Sequence, residues 1–102
     1  PSLTRRAVGR GAAFYLATFP DQDGIERLVD RLLAESGAAP VADADSGVEL
    51  TRRRATDGSS FVFAINHSGA DASVRVAGTE LLSGAPFTGT VPAGRVAVIA
   101  EE

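Results

Sequence analysis

GVELTRRRATDGSSFVFAINH, residues 47–67, is the stretch that decides the fold. Val48 and Leu50 alternate with Glu49 and Thr51 before the run Arg52-Arg53-Arg54. Asp57-Gly58 is a hairpin turn signal, and beyond it Phe61, Phe63 and Ile65 alternate with Val62, Ala64 and Asn66. A period of two on both sides of a glycine-bearing turn marks an antiparallel hairpin, because successive strand side chains point to opposite faces. The pattern continues downstream. Val74 and Val76 alternate around Arg75, Leu81-Leu82 precede the turn Ser83-Gly84, and Phe87 to Val91 pairs with Val96 to Ile99 around Pro92-Ala93-Gly94. There Pro at the second position of a tight turn, with a nearby Gly, is expected. Five or six short strands at intervals of roughly 8–12 residues predict a small antiparallel sandwich or open barrel.

Upstream of Pro40 the periodicity changes. Gly9-Arg10-Gly11 leads into Ala12-Ala13-Phe14-Tyr15-Leu16-Ala17-Thr18, a continuous apolar run that suits a strand covered on both faces. Ile25, Leu28, Val29, Leu32 and Leu33 then recur at helical spacing, with Asp23 as N-cap, Glu26 completing a capping box and Gly37 ending the helix. One strand and one helix cannot cover their own apolar faces. The expected fold class is therefore α+β. Residues 1–40 form a strand-helix remnant of an α/β domain whose other strands lie elsewhere, and residues 41–102 form an antiparallel β domain.

Composition narrows the function. The chain has 102 residues, 44 % hydrophobic and 23 % charged, which is globular rather than disordered and the size of one small domain. A core this small is only modestly stable unless it docks onto something. Cysteine is absent and histidine occurs once, so neither a disulfide framework nor a zinc site of the His/Cys type is expected. All ten basic residues are arginine and the net charge is −3, with no basic run longer than Arg52-Arg53-Arg54, so a nucleic-acid partner is not expected. No apolar run approaches the ~20 residues a membrane helix needs and no signal sequence opens the chain, so a soluble, cytoplasmic protein is expected. The chain lacks methionine and opens on Pro1-Ser2, and it reads as part of a longer polypeptide.

Each candidate residue has a structural reading beside a functional one. His67 follows a strand within Asn66-His67-Ser68, where hydrogen bonding to a turn outweighs a sugar contact. The same tripeptide spells a glycosylation sequon, a short and unspecific signal. Arg52, Arg53 and Arg54 could clasp carboxylates of another domain or subunit, but alternation puts one or two of them in water, with Asp43, Asp45 and Glu49 near enough to compensate. Asp43 and Asp45 lack the further oxygen ligands of a calcium loop. Of the six aromatics, Phe14 and Tyr15 belong to the buried-looking strand and Phe61 and Phe63 face the core with Ile65. Only Phe19 and Phe87 are left for exposure, too few for the aromatic platform of an autonomous carbohydrate-binding module. No catalytic, cofactor-binding or metal residue is assigned.

Taken together, Gly47-Val48-Glu49 through Arg52-Arg53-Arg54, Asp57-Gly58, Phe61-Val62-Phe63-Ala64-Ile65-Asn66-His67-Ser68, Leu81-Leu82-Ser83-Gly84 and Pro92-Ala93-Gly94-Arg95-Val96-Ala97-Val98 resemble the C-terminal domain of the family 42 β-galactosidases. The segment from Gly9 through the helix resembles the end of that family's α/β trimerisation domain, so the likeness covers nearly the whole chain. The later motifs alone also resemble the C-terminal β domains of α-amylase-type enzymes, and the strand and helix upstream favour the β-galactosidases. The resemblance implies a retaining β-galactosidase without organic cofactor, trimeric, with two catalytic glutamates on an upstream (β/α)₈ barrel. Nothing in this chain matches the catalytic motifs, so the chain alone is expected to be an inactive structural region whose partner is the rest of its polypeptide. A free-standing adapter or carbohydrate-binding module is the alternative.

Overall fold

The computed structural model describes residues 2–102 and is mostly antiparallel β structure with one helix, in two compact units that divide between Ala39 and Pro40. The first unit opens with β1 (Leu3–Val8) and β2 (Gly11–Leu16), paired antiparallel from Leu3 with Leu16 to Val8 with Gly11. The glycine-rich segment taken as a strand entry is thus a two-residue hairpin turn, with Gly9 at φ 56° supplying the positive dihedral. β1 escaped the sequence reading because Thr4-Arg5-Arg6 interrupts its apolar alternation. β2 is not covered on both faces: Tyr15 is 69 % exposed and only Phe14 is half-buried. The Phe14 ring lies 5.9 Å from the Arg5 guanidinium and 5.6 Å from that of Arg31, and Arg5 also pairs with Glu35.

α1 (Gln22–Ser36) begins two residues earlier than expected. Asp21, not Asp23, is the N-cap: its Oδ1 accepts from the Gly24 N–H at 2.8 Å, while Asp23 lies in the first turn. Gly37 ends the helix in the left-handed region at φ 74°. The apolar stripe divides in two, with Leu28 and Leu32 half-buried and Ile25, Val29 and Leu33 each close to half exposed.

The second unit, Pro40–Glu102, holds six strands: β3 (Val48–Arg54), β4 (Ser60–Asn66), β5 (Ala72–Ser73), β6 (Gly78–Glu80), β7 (Thr90–Val91) and β8 (Val96–Glu101). A four-stranded antiparallel sheet runs β3-β4-β8-β6, and β5 and β7 form a short ribbon that extends through an Ala44–Val74 bridge. The core is Val62, Ala64, Val74, Val91, Ala97 and Ile99, with Val41, Val48, Leu50, Val76 and Phe87 packed around it. Each fully buried Val or Ile stabilises the fold by about 1.5–3 kcal/mol.

The aromatic residues of β4 depart from expectation. Val62, Ala64 and Asn66 face the core, so Phe61, Phe63 and Ile65 lie on the opposite face and Phe63 is 38 % exposed. Alternation fixes which residues share a face but not which face meets the ribbon, and the small Val62/Ala64 pair lets the β5-β7 ribbon approach closely. Phe87, expected to be exposed, is half-buried against the core, and the strand expected to begin there is confined to Thr90–Val91. Val74 and Val76 do point inward around Arg75, although regular pairing is limited to Ala72–Ser73 and the Val74 bridge. In the last turn Pro92 occupies the first position, not the second: its carbonyl accepts from Arg95 N–H at 3.0 Å, with Gly94 at φ 68°.

Candidate functional site

Three polar clusters organise much of the polar side-chain bonding of the second unit. In the first, the Arg52 guanidinium donates to Glu101 in two-pronged fashion, Nε to Oε1 at 2.7 Å and Nη2 to Oε2 at 3.1 Å, and Nη2 also donates to the Val41 carbonyl at 3.1 Å. Ser60 Oγ donates to Glu101 Oε1 at 2.7 Å. The cluster joins β3, β4 and β8 to the first residues of the unit, ahead of β3. Arg52 and Ser60 hold the Glu101 carboxyl below its usual range. The partner of Arg52 is therefore Glu101, rather than Asp43, Asp45 or Glu49, a contact between residues 49 apart that local charge counting could not find.

Asn66 is the centre of the second cluster and is 1 % exposed. Its two amide N–H groups donate to the carbonyls of Ala70 at 2.8 Å and Val91 at 3.0 Å, with the Pro92 carbonyl at 3.3 Å sharing one of them, and its oxygen accepts from Ser68 N–H at 2.9 Å and Ser68 Oγ at 2.7 Å. With every valence of the amide engaged and no surface exposed, the sequon is not an acceptor in the folded chain. His67 points the other way, and its Nε2 meets Glu49 Oε1 at 3.0 Å across two exposed strands. It ties β3 to the end of β4 instead of bracing the turn.

The third cluster is a capped turn. Glu80 accepts from the N–H groups of Leu82, Ser83 and Val98, at 3.1, 2.8 and 3.1 Å, with the Val98 bond the main reason its carboxyl titrates low. Asp57 titrates low through its bonds to Ser59 Oγ and Ser59 N–H in the β3-β4 turn. Asp45 accepts from Ser73 N–H at 2.8 Å, a structural use of one carboxylate considered for calcium.

Glycoside hydrolysis requires two carboxyl groups flanking one bond, with the acid raised toward neutrality. The three carboxyls displaced from their ordinary values, Asp57, Glu80 and Glu101, all move the opposite way, because hydrogen-bond donors stabilise their charged forms. These are the electrostatics of structural anchors.

Residues 47–101 match the family model described as the β-galactosidase C-terminal domain. The chain belongs to that family. Over all 102 residues it is 76 % identical to a β-galactosidase from Arthrobacter sp, and 31 % identical over 80 residues to the β-galactosidase BgaA from Planococcus sp. (strain 'SOS Orange'). The whole chain superposes on the crystal structure of a β-galactosidase from Bacillus circulans sp. alkalophilus with a TM-score of 0.82 and 31 % identity. A family 42 β-galactosidase from G. stearothermophilus shows the same fold with a TM-score of 0.77 at 20 % identity. The chain spans 15 % of the Arthrobacter protein and 16 % of the B. circulans chain, and 12 % of BgaA. It thus corresponds to the C-terminal domain of family 42 β-galactosidases and to a small part of each of these relatives. The likeness to α-amylase-type β domains is not favoured, since each relative named here is a β-galactosidase. Among the described residues no helix is long and apolar enough to cross a membrane.

Proposed function

We propose that this β-galactosidase C-terminal region has a structural role: residues 1–40 complete an α/β domain built largely by the rest of the polypeptide, and residues 41–102 are a C-terminal β domain. The parent is a cytoplasmic, retaining enzyme that hydrolyses terminal β-galactosides on an upstream (β/α)₈ barrel and works as a trimer. The observation that carries this reading is 76 % identity over the full length of the chain to a protein of which it forms 15 %. The half-exposed helical row Ile25, Val29 and Leu33 supports it, because a 15-residue helix with no buried residue needs more neighbours than one hairpin. The chain contributes no catalytic group, cofactor site or metal site in this reading.

The test is to sequence the gene on both sides of this region and to assay its complete product beside the 102-residue chain on a β-galactoside, following the anomeric configuration of released galactose by NMR. The complete product is expected to release the β-anomer first and the chain alone to release nothing. Hydrolysis by the isolated chain, or a complete product without β-galactosidase activity, would overturn the proposal.

A further inference from the structure

The outer face of the four-stranded sheet has a composition that the β unit does not explain. In-register pairing lays out three rows across it: Glu49, Ile65 and Val96; Thr51, Phe63 and Val98; Arg53, Phe61, Ala100 and Thr79. Leu81 joins the middle row, since its N–H donates to the Val98 carbonyl at 2.8 Å. An antiparallel sheet with one face in water alternates apolar with polar residues. Here the two central strands do not. From Phe61 to Ile65 and from Val96 to Ala100 every residue on both faces is apolar, which is the pattern of strands covered on both sides. One cover is the β5-β7 ribbon. The other side leaves Phe63 at 38 %, Val96 at 47 % and Leu81 at 48 % exposure, around the half-buried Phe61, Ile65 and Val98.

The geometry points to this face as the docking surface through which the β unit packs on the preceding part of its own polypeptide, an inference that rests on the accessory reading above. The occupant is an apolar surface with a carboxylate opposite Arg53. Arg53 stands at the Phe61 end of the face and, among the described residues, its side chain makes no hydrogen bond or ion pair, whereas neighbouring Arg52 is saturated by Glu101 and Val41. An apolar centre with charged groups at its margin, Arg53 at one end and the Glu49–His67 pair at the other, is the anatomy of a protein interface. A tethered occupant is favoured over a free one because relatives carry this region as 15–16 % of a single chain, and covalent linkage presents the neighbour at an effective concentration of the order of mM. A sugar ligand fits less well. Polar side chains on this face lie on the edge strands, so ring faces on the central strands would lack hydroxyl partners beside them.

The experiment uses the complete gene product. Hydroxyl-radical footprinting should oxidise Phe61, Phe63 and Leu81 at least about fivefold more slowly, after correction for intrinsic reactivity, than exposed Leu82 of the same unit. Protection should persist on dilution to monomer. The variant Phe63→Arg, neutral on a solvated face, should accelerate proteolytic release of a fragment starting near Pro40 at least about fivefold. Phe63 oxidised as fast as Leu82, protection lost with oligomer dissociation (a second copy as occupant), or protection appearing only with added galactoside (a sugar site) would each overturn the inference. β-Galactosidase activity of the wild-type product separates these results from failure of the accessory reading: an active enzyme with an unprotected face refutes the docking surface alone.

Discussion

Replacing Asn66 by alanine tests whether the polar hub, rather than the apolar core alone, sets the stability of the β unit. The change removes the two donations, to Ala70 and to Val91 with Pro92 as a longer shared acceptor, and two acceptances, from Ser68 N–H and Ser68 Oγ. A made hydrogen bond contributes about 0.5–1.5 kcal/mol net, and stranding a buried partner costs about 1–3 kcal/mol. The Val91 and Pro92 carbonyls each keep a backbone donor, from the β5 ladder and from Arg95 N–H, so they lose one of two bonds rather than their only one, while the rotatable Ser68 hydroxyl and the more exposed Ala70 carbonyl recover part of theirs from water. The expected loss is about 3–4 kcal/mol, a large part of the roughly 5–15 kcal/mol that holds a small protein folded. The β unit contains neither tryptophan nor tyrosine, so urea unfolding of the chain should be followed by far-ultraviolet circular dichroism. The midpoint should fall with the slope unchanged. Asn66→Asp should be worse at neutral pH, because it places a carboxylate among three carbonyl oxygens, and should recover in part on acidification as the carboxyl regains a proton to donate. An Asn66→Ala chain within about 1 kcal/mol of wild type, at equal slope, would refute the reasoning, since the hydrogen bonds lost together amount to more than that.

Gly78→Ala should unfold or severely destabilise the β unit, because a Cβ there would be driven into the Ala100 carbonyl of β8; a well-dispersed NMR spectrum of this variant at 25 °C would contradict the observed β6-β8 approach. Asp21→Ala should lower helix stability by about 1 kcal/mol while Asp23→Ala costs measurably less, and amide exchange at Gly24 and Ile25 reads the difference. The carboxyls of Glu80 and Glu101 titrate below the usual glutamate value in the folded chain. Their stabilisation is therefore fully present above the unfolded value and fades as pH falls through the lowered folded ones. Arg52→Met should lower the thermal midpoint at neutral pH and flatten its acid dependence, and an acid limb parallel to wild type would dissociate Glu101 from that dependence.

What the sequence made legible follows from the range of each interaction. The β3-β4 hairpin, the inward Val74/Val76 alternation and the Gly37 helix stop rest on signals within a few residues of one another, and local periodicity and dihedral preference are enough to read them, while the family resemblance gathers short motifs from Gly9 to Val98. The Arg52–Glu101 clasp and the Asn66–Val91 bond join residues 49 and 25 apart, and no local pattern announces them. The sequence does not single out Asp21 as the helix cap, because Asp21 and Asp23 stand two positions apart and only the backbone angles at Asp21, φ −73° and ψ −177°, select between them. β1 has no such local signal, because Thr4-Arg5-Arg6 breaks its apolar alternation and the partners that hold Arg5, Phe14 and Glu35, lie 9 and 30 residues away.

The misassigned face of β4 has a different origin. Phe61, Phe63 and Ile65 are the larger set, and size is the natural guide to which side of a strand is inside a monomer. The structure reverses this, giving the tight interior to Val62 and Ala64 and the open side to the rings. In an isolated domain that choice would be costly, since two rings and the aliphatic side chains of β8 would face water at about 25 cal/mol per Å² of apolar surface left uncovered. In a domain that docks it is economical of space: the small residues admit a short ribbon of only two-residue strands, and the large ones are reserved for a broader partner. An apolar strand tells which residues will be buried, and it leaves to the rest of the chain the question of what buries them.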